Sequence, residues 1–412
     1  MKKDIERVIK ANNFDALWIS GAAQHNPSMT YFTGSIHVTA ADLFIIPGKQ
    51  PILFHSMMER EEAAKTGFEL ISYSQYPLSE YLKMTDGNQL AANALRYKKM
   101  LEDIGLTKGQ VLLYGIREFG PFYSLIRELE DLLPGIQFKG DYDEAIILET
   151  RATKDPSEIE EIRKMGLITT GVVKRVENFL SEHKVVDDTL IKADGSPLTI
   201  GDVKSLINLW LAEAGAENPE ATIFSIGRDG GIPHSTGTPS DIIQLGKSIV
   251  FDIFPCQGGG GYFYDFTRTW CLGFAPDEVQ QAYDQVNQVY QQVVSELELG
   301  VNAAKYQERT CELFESMGHE TIRQNPKAEE GYIHSLGHGL GLDVHEKPWF
   351  SRKDDPSNIL QIGSVFTIEP GLYYNTKDFG IRIEDTWYVK EDGRFEKFVE
   401  YPMDLVVPMK GG

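Results

Sequence analysis

Four carboxylates and one histidine, each set inside an apolar segment, constrain this chain more than any other feature. Asp252 lies in IVFDIF, Asp265 in YFYDFTRTW, His338 in HSLGHGLGLDVHE, Glu369 in FTIEPGLYY and Glu384 in GIRIEDTWYV. A charge among Ile, Val, Phe and Tyr carries a desolvation penalty unless something compensates it. Strand-like residues around Asp252 and Asp265 flank a glycine run, Gly258 to Gly261. A β-hairpin there is expected to set the two side chains across from each other on one face. EPG, NTKDFG and IRIED repeat the device for Glu369 and Glu384. Two hairpins then deliver two carboxylates each to one cavity, and His338 adds an imidazole. Such a ligand set suits Mn²⁺, Fe²⁺, Co²⁺ or Zn²⁺ better than a thiolate site would. Four carboxylates exceed the need of one divalent ion, so two ions sharing bridging carboxylates is the economical arrangement.

His334, His338 and His345 fall within twelve residues, interleaved with Gly337, Gly339 and Gly341. Those glycines argue against a helix and for a strand or loop beside a crowded centre. The spacing is not H-E-x-x-H, and neither a G-x-S-x-G elbow nor a phosphate-binding G-x-x-x-x-G-K-[ST] loop occurs.

A length of 412 residues predicts two domains. Residues 1–150 alternate strand-like segments (DALWIS, DLFIIPG, PILF, ELISYS, QVLLYGI) with helical ones around 57–66, 89–105 and 121–133, which reads as an α/β domain. His25, His37 and His55 are read as structural or surface residues. A helix begins after Asp155, with Pro156 at its first position and Glu158 completing a capping box. Its stripe of Ile159, Ile162, Met165, Ile168, Val172 and Val176 points to a core face, and the domain boundary is placed just before it. Further helices near 201–214, 277–297 and 300–318, interleaved with antiparallel hairpins, make residues 151–412 an α+β domain.

The formal net charge of −21, with no basic block, excludes the footprint that non-specific nucleic-acid binding needs. No apolar run approaches the ~18 residues of a membrane span. MKKDIERVIKANNFDALWIS reads as an amphipathic helix followed by a strand and not as a signal peptide. Three cysteines without a C-x-x-C pair predict buried free thiols and a reducing cytoplasm. Cys256, four residues after Asp252, is the one thiol near the ligand series.

These segments resemble the Xaa-Pro peptidase family: aminopeptidase P and prolidase, metallopeptidases of the "pita-bread" fold that are related to methionine aminopeptidases. HSLGHGLGLDVHE, TIEPGLY, GIRIEDT and YDFTRTW carry the resemblance, with IPHSTGTPSD as a loop bearing a substrate-facing histidine. YFTGS and the α/β pattern extend it to a smaller creatinase/prolidase-like N-terminal domain. The resemblance implies a dinuclear centre of Asp252, Asp265, His338, Glu369 and Glu384, bridged by Asp265 and Glu384, with Mn²⁺ foremost and Co²⁺, Zn²⁺ or Fe²⁺ as alternatives. It implies attack of a metal-bridging hydroxide on the amide bond before proline, with Glu369 moving the proton and His234 and His345 flanking the substrate carbonyl. Thr267 and Arg382 would orient ligand carboxylates, Tyr373 would reach the substrate, and His334 would support the wall. A cytoplasmic homodimer acting on peptides with proline at the second position, or on a related small amide, completes the expectation.

Two departures bear on this. Thirteen residues separate Asp252 from Asp265, two more than family members usually place there. An added pair preserves the alternation of strand faces, so a lengthened, mobile hairpin tip is expected. Many prolidases carry a carboxylate-binding arginine four residues after the histidine matching His345. Here that position is Trp349, with Arg352 nearby but off-register. This favours an aminopeptidase over a strict dipeptidase. The alternative is a metal-dependent hydrolase or lyase of a non-peptide small molecule. A non-catalytic binding module is disfavoured by the complete ligand set.

Overall fold

The computed structural model describes residues 5–410. It divides into two compact units, Met1–Arg151 with residues 259–261, and Ala152–Gly258 with Tyr262–Gly412. The opening Met1 to Asp4 of the N-terminal reading lie outside the described residues. The helix itself runs Ile5–Ala11 and buries Ile5, Val8 and Ile9.

In the first unit, β1 (Ala16–Gly21), β2 (Ala41–Ile45), β3 (Ile52–His55), β4 (Glu69–Ser72), β5 (Gly109–Gly115) and β6 (Ile136–Gly140) form one mixed sheet in the order β4-β3-β2-β1-β5-β6. Every residue of β1 is buried, as a central strand covered on both faces requires. Helices Gln89–Asp103 and Phe119–Leu132 pack on this sheet through Ala94, Tyr97, Leu101, Leu125 and Leu129. The expected alternation is present. β6 and the seven-residue helices Pro27–Thr33, Leu78–Met84 and Ala145–Arg151 add to it, each too short for its periodicity to register in sequence.

The second unit begins with helix Pro156–Ser181. Asp155 Oδ1 accepts from the amides of Ser157 (2.9 Å) and Glu158 (3.1 Å), and Glu158 Oε2 accepts from the Asp155 amide (2.8 Å). Asp155→Ala is expected to lower stability by about 1 kcal/mol, read as a shifted denaturation midpoint with the metal content unchanged. This helix and Ile200–Glu213 pack Ile162, Val173, Val176 and Ile207 against Phe224, Phe251 and Phe266 of a four-stranded sheet. That sheet runs Thr222–Ile226, Ser248–Ile253, Phe266–Leu272, Val406–Val407. Helices Asp277–Ser295 and Ala304–Ser316 pack Val286, Val289, Tyr306 and Phe314 against Phe366, Ile368 and Leu372. Phe366 and Ile368 belong to a second sheet in the order Glu346–Trp349, His338–Gly339, Val365–Ile368, Asp385–Val389, Phe395–Lys397. Each helix pair thus backs its own apolar cluster, and the polar ligands come from the strands between them.

In the lengthened hairpin the segment that leads into the glycine turn is paired. Cys256–Gln257 pairs with Ala216–Glu217, and the Gly258 amide donates to Gly215 O at 3.3 Å. Cys256 is buried, and burial pushes its thiol up to about 12, so it serves as a packing residue.

Candidate metal centre

Strand register brings the carboxylates together. Asp252 opposes Thr267, and Ile253 opposes Phe266. Asp265 precedes Thr267 by two, so it shares the face of Asp252 and reaches it diagonally. The directly opposed partner expected for Asp252 is therefore a threonine. In the second hairpin Ile368 opposes Asp385 and Gly371 opposes Arg382. The same register sets Glu369 across from Glu384, where the ladder is interrupted. Glu384 also bridges to Thr267, its amide donating to Thr267 O at 3.0 Å, and this joins the two hairpins. The short strand His338–Gly339 lies beside Val365–Ile368. A Cβ on Gly337, Gly339 or Gly341 would overlap Thr367 O, Lys347 O or the Glu346 carboxylate, so the glycines let the histidine strand approach.

All five predicted ligands line one cavity of about 530 Å³, together with His234, His334, His345, Trp349, Phe254 and Arg382. Ligand atoms of Asp265, His338 and Glu384 lie within 4.8 Å of one another. His338 Nδ1 is 3.0 Å from Gly339 O and donates to it, which leaves the Nε2 lone pair facing Asp265 Oδ2 (3.5 Å) and Glu369 Oε1 (3.4 Å). Asp252 Oδ1, Asp265 Oδ1 and Glu384 Oε1 are buried and accept no hydrogen bond. Burial, then the charges of Asp252 and Glu369, raises the Asp265 carboxyl well above the usual carboxylate range. Burial, then Asp265 and Glu369, does the same to Glu384. Three orphaned acceptors on crowded carboxylates beside an imidazole lone pair are the donor set of a hard divalent cation, and the residues fit one.

The other oxygens are held in place. Arg382 Nη2 donates to Asp252 Oδ2 at 2.6 Å, Thr267 Oγ1 to Glu384 Oε2 at 2.7 Å, and Arg382 Nε to Thr267 Oγ1 at 3.3 Å. Thr267→Val keeps the shape but breaks both of the threonine's bonds. It is expected to weaken metal affinity about 10- to 100-fold, measured by metal titration. Thr367 was not anticipated. Its hydroxyl donates to Glu369 Oε1 (3.3 Å) and accepts from the His338 amide (3.1 Å). It lies two residues before Glu369 on the same strand face, so parity alone would have pointed to it.

His345 packs against His338, with ring centroids 4.2 Å apart and the planes tilted by 55°, and burial lowers its pKa to about 4. His334 Nδ1 donates to Ser335 O (2.7 Å) and its Nε2 meets Tyr373 OH (3.0 Å), so it supports the wall. Tyr373 departs from the expectation of substrate contact. It is fully buried, does not line the cavity, and its hydroxyl accepts from Arg382 Nη1 at 2.6 Å. The arginine's demand for acceptors takes the phenol out of reach. Arg382 Nη1 also donates to Pro233 O at 3.3 Å, tying down the loop of His234.

Fold and cavity together define a class, that of metal-dependent hydrolases built on the pita-bread fold. The chain belongs to metallopeptidase family M24, which residues 160–391 match. It is 33% identical to an uncharacterized peptidase of Methanocaldococcus jannaschii, over 61% of this chain and 64% of that protein. It is 29% identical to the Xaa-Pro dipeptidase of Pyrococcus horikoshii, over 95% of each. The crystal structure of the X-Pro aminopeptidase from Thermotoga maritima superposes with a TM-score of 0.73 at 24% identity, covering 98% of this chain and 100% of that one. No helix among the described residues is long and apolar enough to cross a membrane.

Proposed function

We propose that residues 151–412 form the catalytic domain of an Xaa-Pro aminopeptidase that works with two divalent ions, Mn²⁺ foremost. The observation that carries the reading is the one cavity lined by all five ligands, three of whose carboxylates leave an oxygen without a partner. Asp265 and Glu384 would hold both ions, Asp252 one, and His338 with Glu369 the other. When bound, such ions supply the charge that makes water acidic near neutral pH and polarises an amide carbonyl.

This chain's own residues do the rest. Glu369 Oε1 is held by Thr367, and the carboxylate takes the proton of the attacking water and passes it to the leaving nitrogen. The ring nitrogen of proline carries no hydrogen in the amide, so this delivery completes the secondary amine. His234 and His345 line the cavity where a ring N–H can donate to the developing oxyanion, a contribution of about 3 kcal/mol per donor. Phe254, Val344 and Trp349 give the ring an apolar wall.

Trp349 supports an aminopeptidase over a dipeptidase. It opposes His338 in the sheet and faces the same cavity. Arg382 is the one Lys or Arg in the lining among the described residues, and its guanidinium is already engaged by Asp252, Thr267 and Tyr373. A dipeptide's terminal carboxylate finds no free cation in that lining, and Arg352, over the Trp349 ring at 4.9 Å, is not one of the lining residues. The reading includes a homodimer in a reducing cytoplasm, which three buried free thiols accommodate.

The test is hydrolysis of Gly-Pro against Gly-Pro-Xaa tripeptides by enzyme reconstituted in turn with Mn²⁺, Co²⁺ and Zn²⁺. Faster tripeptide cleavage is expected; cleavage of neither substrate with any of the three metals sinks the peptidase reading. Trp349→Arg is expected to raise kcat/KM for Gly-Pro about tenfold relative to the tripeptide, since a charge-assisted bond to carboxylate is worth about that much.

A further inference from the structure

The first unit holds a cavity of about 560 Å³ whose charge is opposite to that of the protein. Arg96 and Arg117 line it and no Asp or Glu does, in a chain of formal net charge −21. Neither arginine forms an ion pair among the described residues. The Arg96 guanidinium stacks over the Tyr73 ring at 4.9 Å, and its Nη2 makes one long bond, 3.5 Å, to Tyr73 O. Its Nε is buried without an acceptor. Arg117 is exposed and sits over the Phe122 ring at 5.8 Å.

Asp42, the buried carboxylate behind Tyr73 and Tyr97, forms no ion pair with them. Asp42 is saturated by Trp18 Nε1 (2.8 Å), Ser20 Oγ (2.5 Å), Tyr73 OH (2.6 Å) and Tyr97 OH (2.8 Å), and it takes no bond from either arginine. Stacked guanidinium groups with spare N–H donors are pre-organised for oxyanions. Gln89, Asn93 and Ser124 add neutral polar groups to the lining, and Leu90, Pro121 and Phe122 add an apolar side.

We propose that this cavity is a second ligand site, separate from the metal centre, for a small organic oxyanion with two negative charges. A phosphate monoester and a dicarboxylate share that chemistry. The oxyanion is held between Arg96 and Arg117, and the ligand's apolar body lies against Leu90 and Phe122. The volume is in the range of small-molecule sites.

The experiment is calorimetric titration of the full metal-loaded chain with AMP and with succinate, and with adenosine as the uncharged control. Saturable binding of AMP or succinate, but not adenosine, is expected, and the arm that binds identifies the source. Arg117→Ala and Arg96→Gln should each weaken it about tenfold or more. Arg117→Ala, on an exposed side chain, should leave melting temperature and peptidase rate unchanged. The Asp265→Ala variant should bind the anion as the native chain does. The proposal is overturned if neither anion binds with a Kd below about 1 mM. Unchanged binding in folded Arg117→Ala also overturns it. So does loss of binding in Asp265→Ala, which would place the anion at the metal centre.

Discussion

Asp265→Ala is expected to lose bound metal and peptidase activity together, with activity falling about 10³-fold or more. Metal ions supply several kcal/mol of transition-state stabilisation, and each 1.36 kcal/mol is tenfold in rate. Asp265 stands where this loss is greatest. Its Oδ2 is 3.5 Å from His338 Nε2, its Oδ1 is buried without a donor, and it belongs to the group of three whose ligand atoms fall within 4.8 Å. A second readout separates a ligand from a structural residue. Without metal, Asp265 is a buried carboxyl crowded by Asp252, Glu369 and Glu384, so removing it relieves repulsion. The metal-free variant should unfold at an equal or higher temperature than the metal-free native chain. A variant that still binds two ions would refute the bridging role.

Arg268→Met is expected to lower stability by about 3–5 kcal/mol, the cost of leaving a buried charge without its partner. Arg268 and Asp385 are fully buried, 2.8 Å apart. The guanidinium also donates to the carbonyls of Pro402 (2.9 Å), Thr267 (2.9 Å) and Glu384 (2.8 Å), so one side chain clamps the two hairpins at the ligand-bearing positions. Tyr290 OH at 2.5 Å would be the chief remaining partner of Asp385, since Lys397 Nζ stands 3.9 Å away. Urea unfolding should show the loss, and Arg268→Met with Asp385→Leu should recover part of it. A single variant within 1 kcal/mol of native would remove Arg268 from this account.

The ligand series was legible because a carboxylate inside an apolar strand is anomalous at the level of single residues. Hairpin pairing then follows from alternation, which is why the thirteen-residue separation leaves Asp252 and Asp265 on one face. The identity of the directly opposed residue was not legible, since register depends on where the ladder starts. Thr267 took the place opposite Asp252, and Thr367 came to support both His338 and Glu369. Tyr373 was misplaced because spacing from Glu369 says nothing about competition for its hydroxyl, and Arg382 and His334 claim it. The pairing of Cys256–Gln257 is not legible in sequence because its partner strand, Ala216–Glu217, is two residues long and carries no periodicity. Arg268 in DFTRTW resembles an ordinary alternating polar residue, and only tertiary packing shows that it is fully buried against Asp385. The arginine cavity is not legible in sequence for the related reason that Arg96 lies on the helix Gln89–Asp103 and Arg117 in the loop before the helix Phe119–Leu132.

Whether the centre is dinuclear is decided by the stoichiometry of metal bound per chain, followed alongside hydrolysis of a Gly-Pro tripeptide as Mn²⁺ is titrated into chelator-treated protein. Two ions per chain at full activity is the result predicted by four carboxylates and His338 lining one cavity. Full activity with no metal bound, or with a single ion and no second uptake, would contradict it.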